Sequence, residues 1–266
     1  MRWSTLLSAA LLGCVACREQ PTVDRAHPSA SASSSGPIEI TTTELASDGL
    51  KIRTGAIPHE SSVWGFTEVG VDLAQVRLEV VRAERGSLLP KLLPEGALAI
   101  INGGYFETNF APSTWVKSGG VELSPRRDTG QGGVLAVAGR QLYLGELGKL
   151  SFEPELAVQS FPLIVEPGGK PGIHRDDGRR AARTVACVTE GQLSFLVLAA
   201  PRGEGPTLYE ADALLRAKRP SGFGCGAALN LDGGPSSGVV FGPRVGASRS
   251  RIPLAPVAYG IALWPR

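Results

Sequence analysis

Two short runs hold the residues whose types and spacing can do chemistry. Asn102-Gly103-Gly104-Tyr105-Phe106 and Asp232-Gly233-Gly234-Pro235-Ser236-Ser237 each place a polar side chain directly before two glycines. The residues leading into them align without gaps: Ala97-Leu98-Ala99-Ile100-Ile101 against Ala227-Ala228-Leu229-Asn230-Leu231. Each run reads as a buried strand that delivers Asn102 or Asp232 to a sheet edge. The paired glycines then allow backbone N–H groups to approach a ligand closely, as in an anion-binding nest. Asn-Gly and Asp-Gly also mark ordinary tight turns. As a matched pair they point to two related halves facing one cleft.

Other chemistries fit less well. Gly234-Pro235-Ser236-Ser237-Gly238 matches the nucleophile-elbow pattern, but Val239-Val240-Phe241 continues as a strand where the elbow requires a helix, and no histidine follows Ser236. His27 lies in a polar stretch and His59 stands alone. His174 has Asp176 and Asp177 nearby without a partner set, so no metal site is expected. The Gly222-Phe223-Gly224-Cys225-Gly226 run follows a helix and precedes a strand. That order is the reverse of a dinucleotide fingerprint, and no cofactor is expected. With 27 Lys and Arg against 25 Asp and Glu, and no basic stripe with interleaved aromatics, a nucleic-acid partner is not expected.

The elements that must position these residues read as strand-rich. Val76, Leu78 and Val80 alternate with polar neighbours, and 134–137, 141–144 and 193–200 also read as strands. A short helix is expected over 87–93. The clearest helix begins at Thr207, whose hydroxyl can cap while Glu210 completes a capping box. Leu208, Ala211, Leu214 and Leu215 line one face, and Pro220 stops it. Residues 227–231 then read as a buried strand. The fold class is α+β: mixed, strand-rich sheets with a few helices, with two pseudo-repeated halves around one cleft.

Asn230-Leu231-Asp232-Gly233-Gly234-Pro235-Ser236-Ser237 resembles the signature of the phosphodiester glycosidase family. Further pieces are similar in order: Ile101-Asn102-Gly103-Gly104-Tyr105-Phe106, Val158-Gln159-Ser160-Phe161-Pro162-Leu163, Ala182-Arg183-Thr184, and the helix over 207–218. The resemblance spans roughly 38–266. It implies a hydrolase that cleaves a sugar–phosphodiester glycosidic bond without a cofactor. Arg183 would hold the phosphodiester oxygens in a bidentate fork, although Arg179 and Arg180 close by leave an ordinary surface ion pair as the alternative. Asp232 would stabilise the oxocarbenium-like state, attack it or activate water. Glu107, Asp176 and Asp177 are weaker candidates for a second carboxylate. Ser236, Ser237, Gly233 and Gly234 would add donors around the phosphate. Asn102, Gly103, Gly104, Tyr105 and Gln159 complete the expected substrate contacts, with Tyr105 and Phe106 able to flank the sugar ring. The alternative class is a non-catalytic glycan- or phosphate-binding lipoprotein of the envelope.

After Met1 come Arg2, an apolar run and Leu11-Leu12-Gly13-Cys14, the layout of a bacterial lipoprotein signal with lipidation at Cys14; Cys17 fits the motif less well, and an ordinary secretory signal is the alternative. Residues 1–14 are read as signal and 15–37 as a Pro- and Ser-rich tether. The domain is read as 38–266. The expected location is the periplasm or cell surface, with membrane contact only through the lipid. The expected partner is a sugar-phosphodiester or envelope glycan. In the domain only Cys187 and Cys225 remain, and either a disulfide or two buried thiols fits their apolar surroundings.

Overall fold

A computed structural model describes residues 41–59, 62–130, 132–200 and 203–266. The signal, Cys14 and the whole tether with His27 lie outside the described residues. The strands are β1 (Thr41–Ser47), β2 (Leu50–His59), β3 (Ser62–Val71), β4 (Val76–Ser87), β5 (Ala99–Asn102), β6 (Val116–Ser118), β7 (Val121–Ser124), β8 (Gly133–Ala138), β9 (Gln141–Gly145), β10 (Leu156–Ser160), β11 (Leu163–Glu166), β12 (Lys170–Pro171), β13 (Arg183–Thr189), β14 (Gln192–Ala199), β15 (Ala227–Asn230), β16 (Val239–Phe241) and β17 (Val257–Pro265). The helices are α1 (Leu89–Leu92) and α2 (Leu208–Arg216). An eight-stranded sheet has the order β1-β2-β3-β14-β13-β15-β11-β12, a five-stranded sheet β7-β6-β10-β8-β9, and a four-stranded sheet β16-β5-β17-β4. Every pairing within them is antiparallel. The α+β class holds, with strands predominating.

Both faces of the large sheet are covered, which explains why β13 to β15 read as nearly unbroken apolar runs. Val197, Phe195, Ala186 and Leu229 enter a core shared with Ile101 of β5, Leu135 of β8 and Val158 of β10. Their neighbours Leu196, Leu198, Val185 and Ala228 face the other way and meet Ala211, Leu214 and Leu215 of α2. That stripe is the one expected from the sequence. The capping box is present: Glu210 N donates to Thr207 Oγ1 at 3.2 Å, and Thr207 N donates to Glu210 Oε2 at 2.8 Å.

Helix ends differ from the sequence reading for local reasons. The turn expected over 87–93 is only α1, because β4 continues to Ser87 and Pro94 disfavours a helical Leu93 before it. α2 stops at Arg216, two residues short of 218, where Ala217 leaves helical geometry at ψ 135°. The glycine-rich run after it closes the helix end. Phe223 N and Cys225 N donate to the carbonyls of Leu214 and Leu215 at 3.3 and 2.8 Å. A Cβ on Gly222 would lie 2.4 Å from the Leu214 carbonyl oxygen, so this backbone approach requires glycine. Cys225 then forms a disulfide with Cys187 of β13, closing the choice left open by the sequence. No helix among the described residues is long and apolar enough to cross a membrane.

Candidate active site

β5 and β15 occupy equivalent places. Each lies between two antiparallel neighbours, β16 and β17 for one, β13 and β11 for the other. Their glycine ends meet. Asp232 N donates to the Gly103 carbonyl at 3.0 Å, and Asn102 Nδ2 donates to the Asp232 carbonyl at 2.8 Å. The juxtaposition expected from the repeated run is therefore present, but the two halves use it differently.

Asn102 is completely buried. Its Oδ1 accepts from Thr184 Oγ1 at 2.7 Å and from Gly238 N at 3.0 Å, while Nδ2 serves Asp232 and Gly103 carbonyls. With both ends of the amide committed, Asn102 clamps three strand ends together and does not reach a sugar. Gly103 and Gly104 are also structural. Their N–H groups donate to the Tyr259 carbonyl and hydroxyl at 3.0 and 2.8 Å. A Cβ on Gly103 would sit 2.1 Å from the Tyr259 ring. The nest expected there is replaced by a tyrosine packed against bare backbone.

The second half carries the ionisable groups. Burial pushes the Asp232 carboxyl above its usual range, and hydrogen bonds from Ser236 and the Gly233 N–H hold it down in part. Gly233 N lies 2.9 Å from Asp232 Oδ1, and Gly234 N donates to the Ala182 carbonyl at 2.7 Å. Neither N–H is left for a phosphate, so this nest too is absent. What remains is a fixed carboxylate. Gly234 adopts φ +59°, which turns the chain sharply after it. Ser236 and Ser237 follow on a single 3-10 turn, and the buried Ser237 Oγ has no protein partner.

Arg183 opens β13 beside this turn, with Nη1 3.9 Å from where a Gly233 Cβ would stand. It is 8% exposed, and its bonds go to carbonyls alone: Nε to Pro206 at 3.1 Å and Nη2 to Arg179 at 2.7 Å. Burial lowers its pKa, opposed by Tyr105 and Asp177, yet a guanidinium stays charged. The neighbouring cations are the paired ones. Arg180 forms a fork with Glu210 at 2.9 and 2.7 Å, and Arg179 lies 3.8 Å from Asp177. Among the described residues no carboxylate is within ion-pair distance of Arg183.

Tyr105 lies within electrostatic reach of both Asp232 and Arg183. Burial and Asp232 raise its pKa, while Arg183 and a hydrogen bond from Asn230 oppose the rise. Its ring stacks on Phe161 with centroids 4.5 Å apart, and Phe161 is 37% exposed, so this aromatic pair reaches solvent. Phe106 stacks on Phe110 against the core and does not flank the site. Gln159 is turned elsewhere. Its Oε1 accepts from Trp115 N and Arg127 N, and its Nε2 donates to the Arg127 carbonyl. It lines a cleft of about 490 Å³ with Arg126, Arg127 and Glu146, and neither Asp232 nor Asn102 borders that cleft. Glu107, Asp176 and Asp177 are exposed. Among the described residues no group of three or more His, Cys, Asp or Glu is placed to hold a metal.

The sequence reading gave no role to Asn230, Phe161, Thr184 or Tyr259. For Asn230 a signal exists: strand alternation puts residues 230 and 232 on one face. Tyr259 leaves no local trace, because its role arises from contact with a glycine 156 positions earlier.

A mostly β protein that brings a half-buried carboxylate, a buried arginine without a carboxylate partner and an aromatic pair to adjoining strand ends has the parts of a glycosidase-type site. The model of the phosphodiester glycosidase family matches residues 95–264, and the chain belongs to that family of glycosidase-type hydrolases. A hypothetical protein from Synechocystis shares the fold with a TM-score of 0.65 at 14% identity, over 86% of this chain and 68% of that one. A protein described as exported, from Burkholderia pseudomallei, has a TM-score of 0.51 at 12% identity, over 76% of this chain and 74% of that one. No curated protein matches the chain.

Proposed function

We propose that this protein is an exported, lipid-anchored hydrolase that cleaves the bond between a sugar's anomeric carbon and a phosphodiester oxygen. The observation that carries the reading is Arg183, a buried guanidinium with no carboxylate partner among the described residues, set against the Gly233 turn that holds the half-buried Asp232 in a member of this family. Arg183 supplies the counter-charge for a monoanionic phosphodiester. Asp232, made more basic by burial, takes a proton from water as the water oxygen bonds to the anomeric carbon. The glycosidic C–O bond breaks, and its electron pair leaves with a phosphate monoester. Such a leaving group departs readily, so no strong acid is required. The disulfide supports an oxidising, extracytoplasmic location, and the start of the sequence supports a lipid anchor at Cys14. The substrate is an envelope or extracellular sugar-phosphodiester.

The test is release of free sugar from a sugar 1-(alkyl phosphate). Arg183→Lys keeps charge but loses the planar fork, so KM should rise about tenfold, and Arg183→Ala should raise it further. Tight binding of the intact ester without any sugar release would favour a binding role instead.

A further inference from the structure

Asn230 Nδ2 donates to Tyr105 Oη at 2.7 Å and to the Phe161 carbonyl at 3.2 Å. The second bond fixes the direction of the first. A carbonyl oxygen only accepts, so the amide nitrogen must face it; a reversed amide would set Oδ1 against that oxygen with no proton between them. Tyr105 Oη is therefore an acceptor toward Asn230, and its own proton has no acceptor among the described residues. The ring cannot swing away, because it is stacked on Phe161 at an interplanar angle of 28°. Asp232 and Arg183 both act electrostatically on this hydroxyl. Asp177 is the one other charged group acting on Arg183, and Glu107 and Asp176 are exposed. Among the described residues no other carboxylate acts electrostatically on Asp232.

We infer that Tyr105 is a catalytic residue whose hydroxyl donates a hydrogen bond to the sugar-linked oxygen of the phosphodiester as it departs, aimed by Asn230 as its positioning residue. This rests on the hydrolase reading above. As the C–O bond breaks, the electron pair settles on the departing oxygen, where the phenol meets the growing negative charge. The proton stays on Tyr105, since a phosphate monoester is a far weaker base than a phenolate. Water supplies the oxygen bound to the anomeric carbon, and Asp232 receives its proton. A fixed neutral donor of this kind does the work that a second carboxylic acid does for poorer leaving groups.

Tyr105→Phe keeps the ring and its stack on Phe161. It should lower kcat about a hundredfold with KM little changed, the size expected for one lost donor in a preorganised site. Measured on alkyl and aryl phosphodiesters of one sugar, the loss should be larger for the alkyl esters, whose leaving groups are poorer. A ring that merely supports the fold would move neither quantity. Asn230→Asp turns the donor into an acceptor that captures the phenol proton. It should cost a comparable factor, and the double variant should be no slower than either single one. Wild-type kcat in Tyr105→Phe, with unchanged dependence on leaving group, overturns the inference alone. No sugar release by the wild type overturns it together with the hydrolase reading.

Discussion

Asp232 shows how burial converts an ordinary turn residue into a reactive one. Taken from water, a carboxylate loses more solvation than Ser236 and the Gly233 N–H return, so its pKa rises. This has a stability consequence of definite sign. As pH rises past the unfolded value, the unfolded chain releases the proton first. Until the folded value is reached the native state holds more protons, so stability falls across that window and stays lower above it. Asp232→Asn removes this cost and keeps an oxygen for the Gly233 N–H. Its Tm should exceed that of the wild type at neutral pH, and the difference should shrink as pH falls toward the unfolded value. The same variant should lose kcat by orders of magnitude with substrate binding kept, since the lost charge acts in the transition state. Lower Tm in a folded Asp232→Asn protein at neutral pH would contradict the account. The kcat/KM profile should rise with pH through an acidic limb that lies above the ordinary aspartate range.

Strand ends, rather than loops, hold the site. β5 stops at Asn102 and β15 at Asn230, and the amide of Asn102 spans the gap to Asp232, Thr184 and Gly238. Gly103 lets the Tyr259 ring lie flat against the backbone at this junction. Tyr259 is fully buried and cannot retreat, so Gly103→Ala should cost about 3 kcal/mol, roughly 6–12 °C in Tm for a domain of this size. Thermal unfolding checks this directly, and a change of a degree or less would show that the ring has room to move. The two Gly-Gly runs thus share a strand plan but divide the labour, one bracing and the other presenting the carboxylate. A hairpin that the sequence reading passed over was legible at this scale. Asp48-Gly49 between two strands is a two-residue turn signal, and both residues have positive φ, at 48° and 80°.

At the scale of the molecule, the Cys187–Cys225 bridge fastens the segment entering β15 to β13, whose first residue is Arg183. The bridged residues are 38 apart in sequence, and closing a loop of that length in the unfolded chain corresponds to about 4 kcal/mol. A Cys187→Ala/Cys225→Ala protein should melt roughly 8–16 °C lower. An unchanged Tm would mean that the packing of Phe223 and α2 alone sets the register of β15.

The amino-acid sequence determined what depends on neighbours along the chain. The capping box at Thr207 and Glu210, the stripe at Ala211, Leu214 and Leu215, the alternation in β4 and the strand leading into Asp232 each express a period or a local hydrogen bond. The family was legible for the same reason, since the Asp-Gly-Gly-Pro-Ser-Ser turn is one continuous piece of chain. Only the tertiary structure decided which groups are free to act. Whether a glycine N–H faces a ligand or Tyr259, whether Asn102 is a contact or a clamp, and whether Arg183 or Arg180 is the paired cation depend on partners 20 to 160 positions away. Those partners are chosen by how three sheets close over a shared core. Solvation and pairing, which set the pKa of Asp232 and leave the Tyr105 proton uncommitted, follow from that closure.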